Sequence, residues 1–152
     1  MGYDSKMSTI TVGTADFQQT ILDNDIVLVD FWAAWCGPCR MFAPVFEAAS
    51  DQHNDVTFAK VDTEAEQALA GALQITSIPT LMAFREGILV FSQPGALPAP
   101  ALEQVIEAVK GLDMDDVKRQ VADQQAKAEA VTDEAAEPVT DAAVEESADA
   151  TA

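Results

Sequence analysis

The run Ile26-Val27-Leu28-Val29-Asp30-Phe31-Trp32 is apolar on both faces of an extended chain, and four residues beyond it stands Cys36-Gly37-Pro38-Cys39. A strand of that composition exposes apolar surface to water unless both faces are covered, so it belongs in the middle of a sheet with helices on either side. The polar exception in the run, Asp30, needs an explanation, because an ionised carboxylate is costly to bury alone.

The flanking pattern alternates strand and helix. Thr9 to Val12 is short and β-branched, and Thr14 is placed to cap a helix carrying Phe17, Ile21 and Leu22. After the cysteines, Phe42, Val45, Phe46 and Ala49 recur at helical spacing, with Pro44 among them as an expected kink. Val56 to Val61 reads as the next strand, which makes a βαβ unit and a parallel pair with a right-handed crossover. Glu64 to Leu73 reads as a helix. Thr80 to Phe84 and Ile88 to Phe91 read as strands joined by the turn Arg85-Glu86-Gly87. Leu102, Val105, Ile106 and Val109 mark a closing amphipathic helix. The order predicts an α/β fold: a mixed five-stranded sheet flanked by helices on both faces, with the hairpin at one edge.

Near Leu112 the composition changes. Residues 113–152 hold 12 acidic and 3 basic residues and no aromatic one, half of the chain's net charge of −18 in its last quarter. Such a segment buries too little apolar surface to offset its ordering entropy. The expected division is a domain over 8–112 and an acidic tail over 113–152. Its first part, to about Val131, has a thin Met114, Val117, Val121 stripe that could extend the last helix; disorder is expected beyond Pro138. The acidic balance offers no basic surface for a phosphate backbone, so no nucleic-acid partner is expected. No apolar run approaches the roughly 18 residues of a membrane span. Met1 to Met7 has neither the apolar stretch nor the cleavage site of a secretory signal, so a cytoplasmic location is expected.

Both cysteines of the chain lie in the Cys36–Cys39 motif, so no disulfide framework exists elsewhere. At a strand-to-helix junction the two thiols stand one turn apart, close enough to bridge. The helix N-terminus, with its unpaired N–H groups and positive dipole end, favours a thiolate at the first cysteine. Cys36 is then the nucleophile that attacks a substrate disulfide. Cys39, one turn in and more shielded, resolves the mixed disulfide. Pro38 has its φ preset for a first helical turn, and Gly37 is expected to permit the sharp entry. Other uses of the pair fit poorly. Haem attachment wants His where Arg40 stands, structural zinc wants four Cys or His ligands where the chain has two Cys and one His, and a static bridge over so short a loop adds little. No metal or cofactor is called for.

The string Val29-Asp30-Phe31-Trp32-Ala33-Ala34-Trp35-Cys36-Gly37-Pro38-Cys39-Arg40-Met41 resembles the active-site segment of thioredoxins almost residue for residue. Lys60 in Phe58-Ala59-Lys60-Val61-Asp62, Ile78-Pro79-Thr80 before a strand, Gly87, and Gly95-Ala96 also match, over about residues 8 to 112. The resemblance implies the thioredoxin fold and a cis peptide before Pro79, facing the cysteines; the residues alone indicate only a turn or extended segment there. Asp30 by itself could be a strand-end carboxylate reaching water. The resemblance makes it a buried acid/base for Cys39, with Lys60 its electrostatic partner. It also implies a shallow substrate groove made of Trp35, Gly37, Pro38, Ile78, Pro79, Gly95 and Ala96, with Trp32 a supporting aromatic beneath. Ser77 and Arg40 depart from the common Gly and Lys without touching the mechanism. His53, the sole histidine, reads as a surface or cap residue.

The expected function is a protein-disulfide reductase. It would act on disulfide-containing proteins as a monomer and be re-reduced by an NADPH-linked thioredoxin reductase, the partner that the resemblance implies. An oxidase or isomerase is the second enzymatic reading, disfavoured by Pro38 where oxidising relatives carry His. A binding or chaperone module dependent on the acidic tail is the alternative from another class.

Overall fold

The computed structural model describes residues 8–128, and nine elements follow one another in it up to Lys110. They are β1 (Ile10–Thr11), α1 (Phe17–Asp23), β2 (Ile26–Trp32), α2 (Gly37–Gln52), β3 (Thr57–Asp62), α3 (Gln67–Ala72), β4 (Thr80–Arg85), β5 (Ile88–Pro94) and α4 (Ala99–Lys110). The chain divides into two units, Met1–Gly111 and Leu112–Ala152.

In the first unit the strands lie in the order β1-β3-β2-β4-β5. β3 runs parallel to both β1 and β2, and β4 antiparallel to both β2 and β5. The doubly apolar run is therefore the central strand, as its composition demands. Its alternate residues divide the core. Ile26 and Leu28 pack with Phe42 and Phe46 of α2 and with Leu102, Ile106 and Val109 of α4. Val27, Val29 and Phe31 pack with Phe17 and Ile21 of α1 and Leu69 of α3. Period-two alternation on one strand thus serves two helical layers.

Local side-chain chemistry sets several boundaries differently from the periodicity. Thr14 does not cap α1: its backbone N–H and its hydroxyl both donate to Glu66, at 2.9 and 2.8 Å. Asp16 stands at the cap position instead, its carboxylate accepting the Gly13 N–H at 2.8 Å. α3 begins at Gln67 rather than Glu64 because the Asp62 carboxylate accepts the N–H groups of Glu64 and Ala65, at 2.9 and 3.3 Å, and holds those residues in a turn. Pro44 sits inside α2 without ending it. β5 runs on past Phe91 to Pro94, and its pairing with β4 shifts register between Ala83 and Phe84.

In the second unit, residues 114–128 are helical. This is not an extension of α4, which ends at a Gly111 cap. The new helix starts at Asp113, whose carbonyl accepts the Val117 N–H and whose carboxylate accepts the Asp116 N–H, at 3.0 and 3.2 Å. The disorder expected beyond Pro138 falls outside the described residues. Among the described residues, no helix is long and apolar enough to cross a membrane.

Candidate active site

β2 delivers the chain to the cysteines, and α2 begins on them. Cys36 is the N-cap of α2, with φ −86° and ψ 115°, and its sulfur accepts the Cys39 N–H at 3.2 Å. The helix thereby offers one of its otherwise unpaired donors to sulfur, the arrangement that stabilises a thiolate. Cys36 and Cys39 form a disulfide with their Cα atoms 5.2 Å apart. Pro38 occupies the first helical turn, where its missing N–H costs nothing.

Burial does not separate the two sulfurs in the way the spacing suggests: Cys36 is 3% exposed and Cys39 2%. Position distinguishes them. Cys36 Sγ lies 3.7 Å from the carbonyl oxygen of Ile78, while Cys39 contributes its backbone N–H to the Cys36 sulfur. Gly37 takes no positive φ, and a Cβ there would meet nothing within 4 Å. The sharp entry therefore does not require glycine, which instead leaves open space beside the bridge.

The Ile78-Pro79 peptide is cis. The Pro79 carbonyl accepts the Gly95 N–H at 2.7 Å, and Gly95 has φ +103°, a conformation that favours glycine. Cys36, Ile78, Pro79 and Gly95 are thereby linked in space, and exposed Gly37, Pro38 and Ala96 are their chain neighbours. Trp35 is 66% exposed, with its indole N–H donating to Glu64 at 3.1 Å. Met41, on the first turns of α2, is 73% exposed, an apolar side chain that the sequence pattern does not single out.

Asp30 is 1% exposed, and neither carboxylate oxygen has a hydrogen-bond partner. It lies on the face of β2 that carries Ile26 and Leu28, the face on which α2 packs. Burial pushes its carboxyl up from 3.8 to about 7; Lys60 opposes that rise and Glu47 adds to it. Lys60 stands opposite Asp30 in the parallel register of β2 and β3. Its Nζ lies 3.4 Å from Glu47 Oε2 and 5.2 Å from the centroid of the half-buried Trp32 ring. Glu47, on α2, is a charged member of this group that the sequence pattern does not reveal.

His53 caps the other end of the 16-residue α2, about 24 Å along the helix axis. It reaches Glu103 and Lys110, and the ligand atoms of His53, Glu103 and Glu107 lie within 4.8 Å of one another. The Lys110 ammonium, 2.9 Å from the His53 ring, makes this an ion-pair network that disfavours a further cation.

The sequence profile of the thioredoxin family matches residues 8–108. A putative thioredoxin 2 of Streptomyces coelicolor is 54% identical over 121 residues, covering 80% of this chain and 90% of that protein. A bifunctional thioredoxin reductase/thioredoxin of Mycobacterium leprae is 43% identical over 103 residues, 65% of this chain and 22% of that protein. Among solved structures, a mutant thioredoxin from Halobacterium salinarum superposes with a TM-score of 0.64 at 37% identity, covering 71% of this chain and 95% of that one.

Proposed function

The chain belongs to the thioredoxin family and is a thiol–disulfide oxidoreductase, and from that premise we propose that it works as a protein-disulfide reductase through the Cys36–Cys39 pair. The observation that carries this reading is the sulfur of Cys36 held at the N-terminus of α2 beside the Ile78 carbonyl, with an open apolar rim around it.

In the reducing half-reaction the Cys36 thiolate attacks one sulfur of a substrate disulfide. The substrate S–S bond breaks, the departing thiolate takes a proton, and a mixed disulfide remains. Cys39 then loses its proton to Asp30 and attacks Cys36 Sγ. The mixed disulfide breaks, the second substrate sulfur leaves as a thiolate and is protonated, and Cys36 and Cys39 are bridged. Two electrons have passed from the protein to the substrate. A carboxyl near 7 can both accept and return that proton at neutral pH.

Trp35, Gly37, Pro38, Ile78, Pro79, Gly95 and Ala96 form the groove in this reading. An extended substrate segment would lie across it and use backbone groups beside Pro79. A thioredoxin reductase drawing on NADPH restores the dithiol; the fused Mycobacterium leprae relative supports that partner. Residues 8–112 do the redox work, and the acidic segment from 113 onward stands outside it.

Equilibration with a glutathione redox buffer tests the direction of electron flow. The expected midpoint is about −270 mV, the general figure for thioredoxin, taken over from the family and independent of this structure. A midpoint of about −180 mV or above would make the protein an oxidant or isomerase and overturn the reading.

A further inference from the structure

A lysine and a carboxylate opposite one another on adjacent strands, about 4.8 Å apart and on one face, are placed to form an ion pair. Asp30 and Lys60 have that register and that face, yet both Asp30 oxygens are without a hydrogen-bond partner. Lys60 is engaged elsewhere: its ammonium donates to Glu47 Oε2 at 3.4 Å and lies over the Trp32 ring. The side chains of Lys60 and Glu47 are only 17% and 29% exposed, so water screens this pair less than it would a surface one.

We infer that Glu47 is a positioning residue for the redox reaction: by holding the Lys60 ammonium it keeps that cation from pairing with Asp30, and so leaves Asp30 able to take and return the Cys39 proton. This rests on the reading of Asp30 as the proton carrier. Three elements supply the charged groups at that carrier, namely Asp30 itself on β2, Lys60 on β3 and Glu47 on α2. Glu47 comes from the same helix that begins on the cysteines, two turns further on. A single helix therefore carries both the resolving thiol and the group that governs the cation near its base.

Without Glu47, Lys60 is free to turn to the unpartnered carboxylate, and an ammonium at contact distance favours the ionised acid. Asp30 would then be a poorer proton acceptor at neutral pH. The direct loss of Glu47's own negative charge acts in the same direction but does not need Lys60. The two routes are separable by a cycle.

The Asp30 carboxyl is followed by NMR titration in the oxidised full-length protein, where neither cysteine titrates, with Asp30→Asn assigning the signal. Glu47→Gln should move the Asp30 midpoint to lower pH by about one unit. In a Lys60→Met background the same substitution should move it by much less. An unmoved midpoint in Glu47→Gln, or an equal shift with and without Lys60, overturns the inference. The pH profile for resolution of a trapped mixed disulfide should shift with the midpoint. If Asp30→Asn leaves that profile unchanged while the titration cycle behaves as expected, the proton-carrier reading fails and the Glu47–Lys60 competition stands alone.

Discussion

At the C-terminal end of α2, His53 shares Glu103 and Lys110, each at 2.9 Å, and Lys110 also meets Asp55 at 3.2 Å. Near the N-terminal end, Asp30 is buried with both oxygens unpartnered, and the Trp32 indole N–H is likewise buried and unpartnered. Both His53 ring nitrogens thus have a partner, Nδ1 at the Lys110 ammonium and Nε2 at the Glu103 carboxylate. The contrast separates two uses of polar residues. Where partners satisfy every group, the cluster ties α2 to α4. Where a carboxylate is buried without them, the fold bears a penalty that proton transfer can exploit.

The sharpest break of this comparison is at the sulfurs. Cys36→Ser should abolish disulfide reduction to the limit of detection, whereas Cys39→Ser should still attack and then accumulate long-lived mixed disulfides, seen on non-reducing gels. Trapping by Cys36→Ser instead would reverse the two roles.

Next in size is the cost of Asp30. Its carboxyl is raised from 3.8 to about 7 in the folded protein, so between those values the unfolded chain ionises while the native one holds its proton. The native state therefore loses stability relative to the unfolded state as pH climbs through that window, and the loss levels off above the folded value. Asp30→Asn lacks this term. The urea-unfolding difference between variant and parent should shift in the variant's favour by up to about 4 kcal/mol from pH 4 to pH 8. A flat difference would mean that the carboxylate is better solvated than its 1% exposure indicates.

The smallest effect belongs to the satisfied end. His53→Ala should cost about 1 kcal/mol in unfolding free energy through lost hydrogen bonds. It should leave the reduction potential and the reductase rate unchanged. A shifted potential would show that the two ends of α2 are coupled after all.

How far the chain can be read in advance depends on whether the signal is local. The doubly apolar β2 run announces a covered central strand, and the 42, 45, 46, 49 spacing announces α2, because apolar periodicity follows directly from which atoms each element turns inward. The cysteine spacing and its place before a helix point to the redox pair for the same reason. Thr14 has the look of a cap because its true partner, Glu66, lies 52 residues on. Glu47 escapes notice because a charge on a helix face looks solvated until the strand packed beneath it is known.

By itself, then, the sequence determined the layered α/β architecture, the central strand and the identity of the two thiols, since each follows from periodicity or from residues within one turn of each other. Only the tertiary structure decided that Asp30 has no partner, that Lys60 is drawn to Glu47, and that Ile78 meets Cys36. Those facts depend on strand register and helix placement, which long-range packing sets and no short window of residues encodes.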